Sequence, residues 1–192
     1  MITSVNSNLM KNSMIPAGYM AKRIMNRPEG YLSIDIVDIY SVSSCMSKNF
    51  ADDIDTWKYN GYWFFDSPQI IEEIAEEHSI DLTGTRLFYY EVYNLEFHEG
   101  NEWKPFEPAA SFTTDIEKPG LKNLEGYDIG TFCLGNHAEC SPLSCNGLAK
   151  TIPVNKHCLL SSFDNAHQLL EDGKFKNSEP GPYRILSVYS VS

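Results

Sequence analysis

The clearest pattern of apolar and polar positions follows Ser67-Pro68, where Ile70, Ile71 and Ile74 recur at helical spacing and Glu72, Glu73, Glu76 and Glu77 fill the other side. A capping serine followed by proline at the first helical position starts a helix. The pattern therefore predicts a helix over Pro68–His78 with its isoleucines buried. The four carboxylates lie on its solvated face, and two sit near the N-terminus where the helix dipole favours negative charge; they do not read as a metal or acid/base site. A second helix is expected over Phe163–Asp172, capped by Ser161 or Ser162, turned inward through Phe163, Ala166 and Leu170, and stopped at Gly173. A short third helix is expected over Ala17–Asn26, ended by Pro28, because the residue before a proline disfavours helical geometry.

Other stretches carry the period of two that marks strands. Leu32, Ile34, Ile36, Tyr40 and Val42 share one face of a predicted strand over Leu32–Val42. Asp38 interrupts that face, which a bulge near Val37 would explain better than a carboxylate pointing into the core. Arg86–Phe97 is apolar on both faces, with Leu87, Tyr89 and Tyr93 against Phe88, Tyr90 and Val92, as a central covered strand requires. Glu99-Gly100-Asn101 then reads as a hairpin turn towards Trp103 and Phe106. Ser111–Ile116, Tyr127–Leu134 (after a turn at Glu125-Gly126) and Tyr183–Val191 complete the strands.

With few crossover helices, these elements specify an α+β fold: a mixed, mostly antiparallel sheet of about five or six strands with two to four helices packed against it. The polar, Asn/Ser-rich residues 1–14 are expected to form a disordered tail, and residues 15–192 a single globular domain. Twenty-one tyrosines and phenylalanines in 192 residues favour sheet over a helical bundle.

Charge narrows the function classes. Twenty-six acidic residues against 15 basic ones give a formal net charge of −11. Such a surface repels phosphate backbones, which argues against direct nucleic-acid binding and favours a partner protein with a basic surface. No stretch is long and apolar enough to span a membrane. Five cysteines are an odd number, and Cys45 stands far from the rest, so free thiols in a cytoplasmic setting are expected.

Four of those cysteines, with His137 and His157, lie between Cys133 and Cys158, in a stretch rich in Gly, Asn, Ser and Pro that should be a loop with a short helix. A zinc-stabilised loop over residues 133–158 is one reading. The spacings are irregular and there is no Cys-x-x-Cys, so no metal and no cofactor are expected. A thiol-dependent enzyme is another reading. Ser141-Pro142 would start a helix, placing Cys140 at its N-terminus as the candidate nucleophile, with His137 or His157 as base and Asn136 orienting an imidazole or an oxyanion. Phosphate-loop, dinucleotide-binding, zinc-protease and serine-hydrolase motifs are absent. The favoured expectation is a small acidic binding or inhibitor protein, of the immunity, antitoxin-like or phage anti-defence type, acting through a protein–protein interface.

Overall fold

The computed structural model describes residues 14–30, 32–54, 60–106, 115–133 and 137–192. Among these, nine strands and two α-helices follow in the order β1 (Met14–Arg23), β2 (Met25–Asn26), β3 (Asp38–Ile39), β4 (Lys48–Asn49), α1 (Pro68–Glu77), β5 (Thr85–Tyr93), β6 (Leu95–His98), β7 (Glu102–Pro105), β8 (Lys122–Thr131), α2 (Phe163–Glu171) and β9 (Tyr183–Val191). The α+β expectation holds, with helices at the low end of the expected number. The main sheet runs β4-β1-β5-β9-β6-β7, with β8 also paired to β9, and every described pairing is antiparallel. The β9 strand is the hub: β8 pairs with its whole length, while β5 and β6 share its other edge.

Both α-helices form where their capping residues call for them. Ser67 Oγ accepts from Ile70 N at 3.4 Å, and Ser162 Oγ accepts from Asn165 N at 3.2 Å. Gly173 closes α2 with a positive φ of 68°, the left-handed turn for which glycine is suited. Ile71 and Ile74 of α1 join an aromatic core that includes Tyr19, Phe65, Phe88 and Tyr90. Ala166 and Leu170 of α2 cover a second core with Ile129, Leu160 and Ile185. No described helix is long and apolar enough to cross a membrane.

Four expectations need correction. Residues 17–26 are not helical: Met14–Arg23 is a strand paired with β5 from Tyr93 to Thr85, and its burial on both sides removes the alternation that would have revealed it. Its Gly18 passes so close to Phe65 that a Cβ there would lie 2.6 Å from the Phe65 carbonyl oxygen. Leu32–Val42 is a strand only at Asp38–Ile39; Ile34 is 83% exposed, and Val37, the expected bulge, is 64% exposed. Leu32, Ile36, Tyr40 and Val42 are buried because this loop is pinned to the 156–157 segment, with Val37 N donating to Lys156 O (2.9 Å) and Tyr40 N to His157 O (3.1 Å). Arg86–Phe97 is two strands broken at Asn94, whose carbonyl accepts from Phe106 N at 2.8 Å. Finally, Glu125-Gly126 is a bulge inside β8 rather than a turn before it, and β8 ends at Thr131, so Cys133 lies beyond the strand.

Two expectations fall largely outside the described residues. Of the tail at 1–14 only Met14 is described, and it opens β1; of Ser111–Ile116 only Asp115 and Ile116 are described, neither in a strand.

Candidate functional site

The residues expected to carry chemistry are dispersed. His157 stacks on Tyr40 with ring centroids 4.0 Å apart. It binds Asp38 through Nδ1, and its Nε2 lies 3.6 Å from Glu125. Asp38, which interrupts the apolar pattern of its segment, is thus a partner for His157. The His137 ring rests on Trp63 at 4.7 Å. Cys158 is buried in the second core, and burial pushes its thiol up. Cys133 is exposed and donates to Glu139 Oε2 at 2.6 Å, which also holds its thiol up. Asn136 lies outside the described residues. Cys140 therefore has neither imidazole as a described hydrogen-bond partner; its thiol donates to Asn146 Oδ1 at 3.3 Å.

What the fold does bring together is Cys140, Cys145 and the distant Cys45. Their Sγ atoms all lie within 4.8 Å of one another. The local backbone explains why Cys140 and Cys145 converge. On a continuing helix, residues five apart would diverge. Here Ser141-Pro142 opens a single turn, in which Ser144 N and Cys145 N both donate to Ser141 O (3.1 and 2.7 Å), and the chain then enters a short 3-10 segment at Leu148–Lys150. The turn curls Cys145 back beside Cys140. Cys45 arrives on the opposing 41–47 turn, and its thiol donates to Glu139 O at 3.4 Å.

Beneath the thiols lies a polar network that is almost wholly buried. Ser41, Ser43, Ser47, Ser141 and Ser144 are each at most 2% exposed, and Lys22 and Asp128 are fully buried. Ser144 Oγ donates to Ser41 Oγ at 3.0 Å, and Ser43 Oγ lies 3.3 Å from Cys145 Sγ. Asp128 holds both turns at once: its Oδ2 accepts from Val42 N at 2.8 Å and its Oδ1 from Ser141 Oγ at 2.6 Å. The Lys22 ammonium donates to three consecutive carbonyls, Ser41, Val42 (3.0 Å) and Ser43 (3.2 Å), with Ser47 Oγ at 3.5 Å.

This setting perturbs Lys22, Asp128 and the clustered thiols. Burial pulls Lys22 down to about 7, against the pull of Asp128, Asp52 and the nearby thiols. Burial raises Asp128 to about 6, against its three hydrogen bonds. The hydrogen bond between Cys140 and Cys145 favours the thiolate on Cys145, assisted by Ser43, and keeps the proton on Cys140.

Three soft donors at this separation suit a metal. With Zn–S bonds of about 2.3 Å, tetrahedral geometry sets neighbouring sulfurs about 3.8 Å apart. The cluster would need to contract by about 1 Å at its widest, within reach of small side-chain rotations.

The sequence did hold a signal for Cys45. Ser41-Val-Ser-Ser-Cys45 and Ser141-Pro-Leu-Ser-Cys145 share the pattern Ser-x-x-Ser-Cys, and the two segments face each other in space. Comparison of the chain with protein-family models, with curated proteins and with solved structures finds no match.

Proposed function

We propose that this protein binds a thiophilic metal ion through Cys45, Cys140 and Cys145. The observation that carries the reading is the convergence of three Sγ atoms within 4.8 Å from two turns far apart in sequence. Thiolates select soft or borderline ions such as Zn²⁺ or Cu⁺ over Mg²⁺ or Ca²⁺. Three protein ligands leave a position open, the arrangement of sites that exchange a ligand rather than only staple a fold. Relative to the zinc-stabilised loop considered over residues 133–158, the ligand set loses Cys133, Cys158 and both histidines and gains Cys45.

Titration of the reduced protein with Cd²⁺ tests this. The expected result is a sulfur-to-metal charge-transfer band that saturates at one equivalent with the intensity of three thiolates, and that is lost or sharply weakened in Cys145→Ser. Absence of that band in the wild-type protein overturns the reading. If Cys145 instead alkylates selectively in a protein that binds no metal, the thiol-enzyme reading gains, with Cys145 in the place expected for Cys140.

A second reading, an acidic surface for a basic partner protein, is favoured by α1, whose Glu72, Glu73 and Glu76 are all exposed on a helix that carries no Lys or Arg. It expects capture of a basic partner that weakens steeply with salt. Capture that is insensitive to salt, or to charge reversal at these three positions, counts against it.

A further inference from the structure

We propose that Lys22 is the positioning residue of the thiol site: its ammonium gathers the 41–47 turn and so delivers Cys45 to Cys140 and Cys145. This rests on the reading of the cluster as a metal site and adds what assembles it.

The argument starts from the carbonyls. In an extended chain, successive carbonyls point to opposite sides, whereas those of Ser41, Val42 and Ser43 all turn towards the Lys22 ammonium. Three like-oriented dipoles crowded into a buried space repel one another, and without the ammonium the Ser41 and Val42 carbonyls would lose their described donor, while Ser43 O would keep only Ser47 Oγ. A cation at their focus removes both costs, as it does where backbone carbonyls form an ion site. Here the cation is covalently part of the protein. Strand β1 fixes its origin by pairing Lys22 with Asn49 of β4 on one side and Arg86 of β5 on the other. Ser47 Oγ, within reach of the same ammonium, also donates to Ser43 O at 3.4 Å, so both ends of the turn that carries Cys45 are drawn in.

The other half of the site is held without Lys22, with Asp128 and Ser144 tying it to the 41–47 turn. Cys140 and Cys145 are placed by the Ser141 turn, by Ser141 Oγ on Asp128 and by Asn146, whose Nδ2 donates to Ser178 O (3.2 Å) and Glu179 Oε1 (2.9 Å). None of these contacts involves Lys22. Removing the ammonium should therefore release one thiol of three rather than dismantle the cluster.

The test is Lys22→Met, which keeps an apolar stem of similar length and removes the charge. In the Cd²⁺ titration the variant should show a charge-transfer intensity of two thiolates instead of three, and an affinity lower by roughly 10- to 100-fold, the usual effect of losing a group that orients a ligand. It should resemble Cys45→Ser, and the double variant should be little worse than either single one. Three-thiolate intensity with unchanged affinity in a folded Lys22→Met protein overturns the proposal.

Metal binding is not the sole readout. In metal-free protein, mild oxidation with diamide, which takes up the two hydrogens as a disulfide forms, should join Cys45 to Cys140 or Cys145 in the wild type and do so markedly more slowly in Lys22→Met. A wild-type protein that binds no Cd²⁺ but shows this difference refutes the metal reading and supports the assembly role. Equal cross-linking rates refute the assembly role whatever the metal result. Should Lys22→Met not fold, the native protein serves: a Lys22 side-chain NH₃⁺ resonance protected from solvent exchange, unlike those of exposed lysines, supports the cage, and rapid exchange refutes it.

Discussion

The buried Asp128 should make this protein lose stability as pH rises through the mildly acidic range. Its carboxyl is fully buried, and burial lifts it from 3.8 to about 6 in spite of the donors from Ser141, Val42 and Ile129. An acid raised on folding binds its proton more tightly in the native state. Its stabilising contribution is complete below the unfolded value of 3.8 and is lost as pH rises through about 6. At 1.36 kcal/mol per pKa unit, the loss amounts to about 3 kcal/mol. Other carboxylates contribute in the usual opposite direction, so the measurement has to be a difference. Asp128→Asn removes the titration while keeping the shape. Urea unfolding of both proteins, measured from about pH 4 to about pH 6.5, reports the group together with its pull on Lys22. The stability of the wild type relative to the variant should fall by about 2 kcal/mol across that range, the rest of the loss lying outside it. The offset between the curves depends on how the asparagine amide faces the Val42 and Ile129 N–H groups, but the slope does not. A flat difference, or one that rises with pH, would refute the reasoning.

Two further substitutions test the frame that holds the site. Arg184 is 5% exposed, donates through Nε and Nη2 to Glu96 Oε2 at 3.0 and 2.8 Å, and lies between the rings of Phe106 and Phe132. Glu96→Gln strands that guanidinium without its counter-charge and should cost about 3 kcal/mol by urea unfolding, whereas a change below about 1 kcal/mol would place the ion pair effectively in water. Gly126, with φ of 150°, sits where an added Cβ would fall 2.7 Å from Leu159 Cβ and 2.8 Å from Leu160 O. Gly126→Ala should therefore cost about 2 kcal/mol or more by the same measurement, and an unchanged midpoint would show that the β8 bulge tolerates a side chain.

The parts of the fold legible in the sequence are those whose instructions are local. Ser67-Pro68 and Ser162 each cap their own helix, Gly173 ends one, and Tyr183–Val191 is a strand over the residues expected. The failures occur where a distant partner decides. The ten residues of β1 are strand because β5, some seventy positions on, offers a ladder to them, and their own pattern suits a helix as well. The apolar residues of 32–42 imitate a strand because a loop pinned to Lys156 and His157 must also bury side chains, yet exposed Ile34 breaks the alternation.

The thiol site was half legible for the same reason. Sequence rules for metal sites look for ligands paired on one knuckle, since a single turn can then present two of them. Cys140 and Cys145, as Cys-x4-Cys, meet the spacing of one such pair, but no second knuckle accompanies them, and Cys45 is too far away to be counted with them. The structure replaces the knuckle with two Ser-x-x-Ser-Cys turns that contribute one cysteine and two. The matching is done by groups that never touch a thiol, Asp128 from β8 and Lys22 from β1. Because β1 and β8 lie on opposite sides of the β5–β9 pair, the sheet has to form before the two turns can face each other. A site built this way depends on the whole fold. Losing either buried charge should then disturb the thiols more than any exposed substitution next to them, which is the opposite of what a self-contained metal knuckle would show.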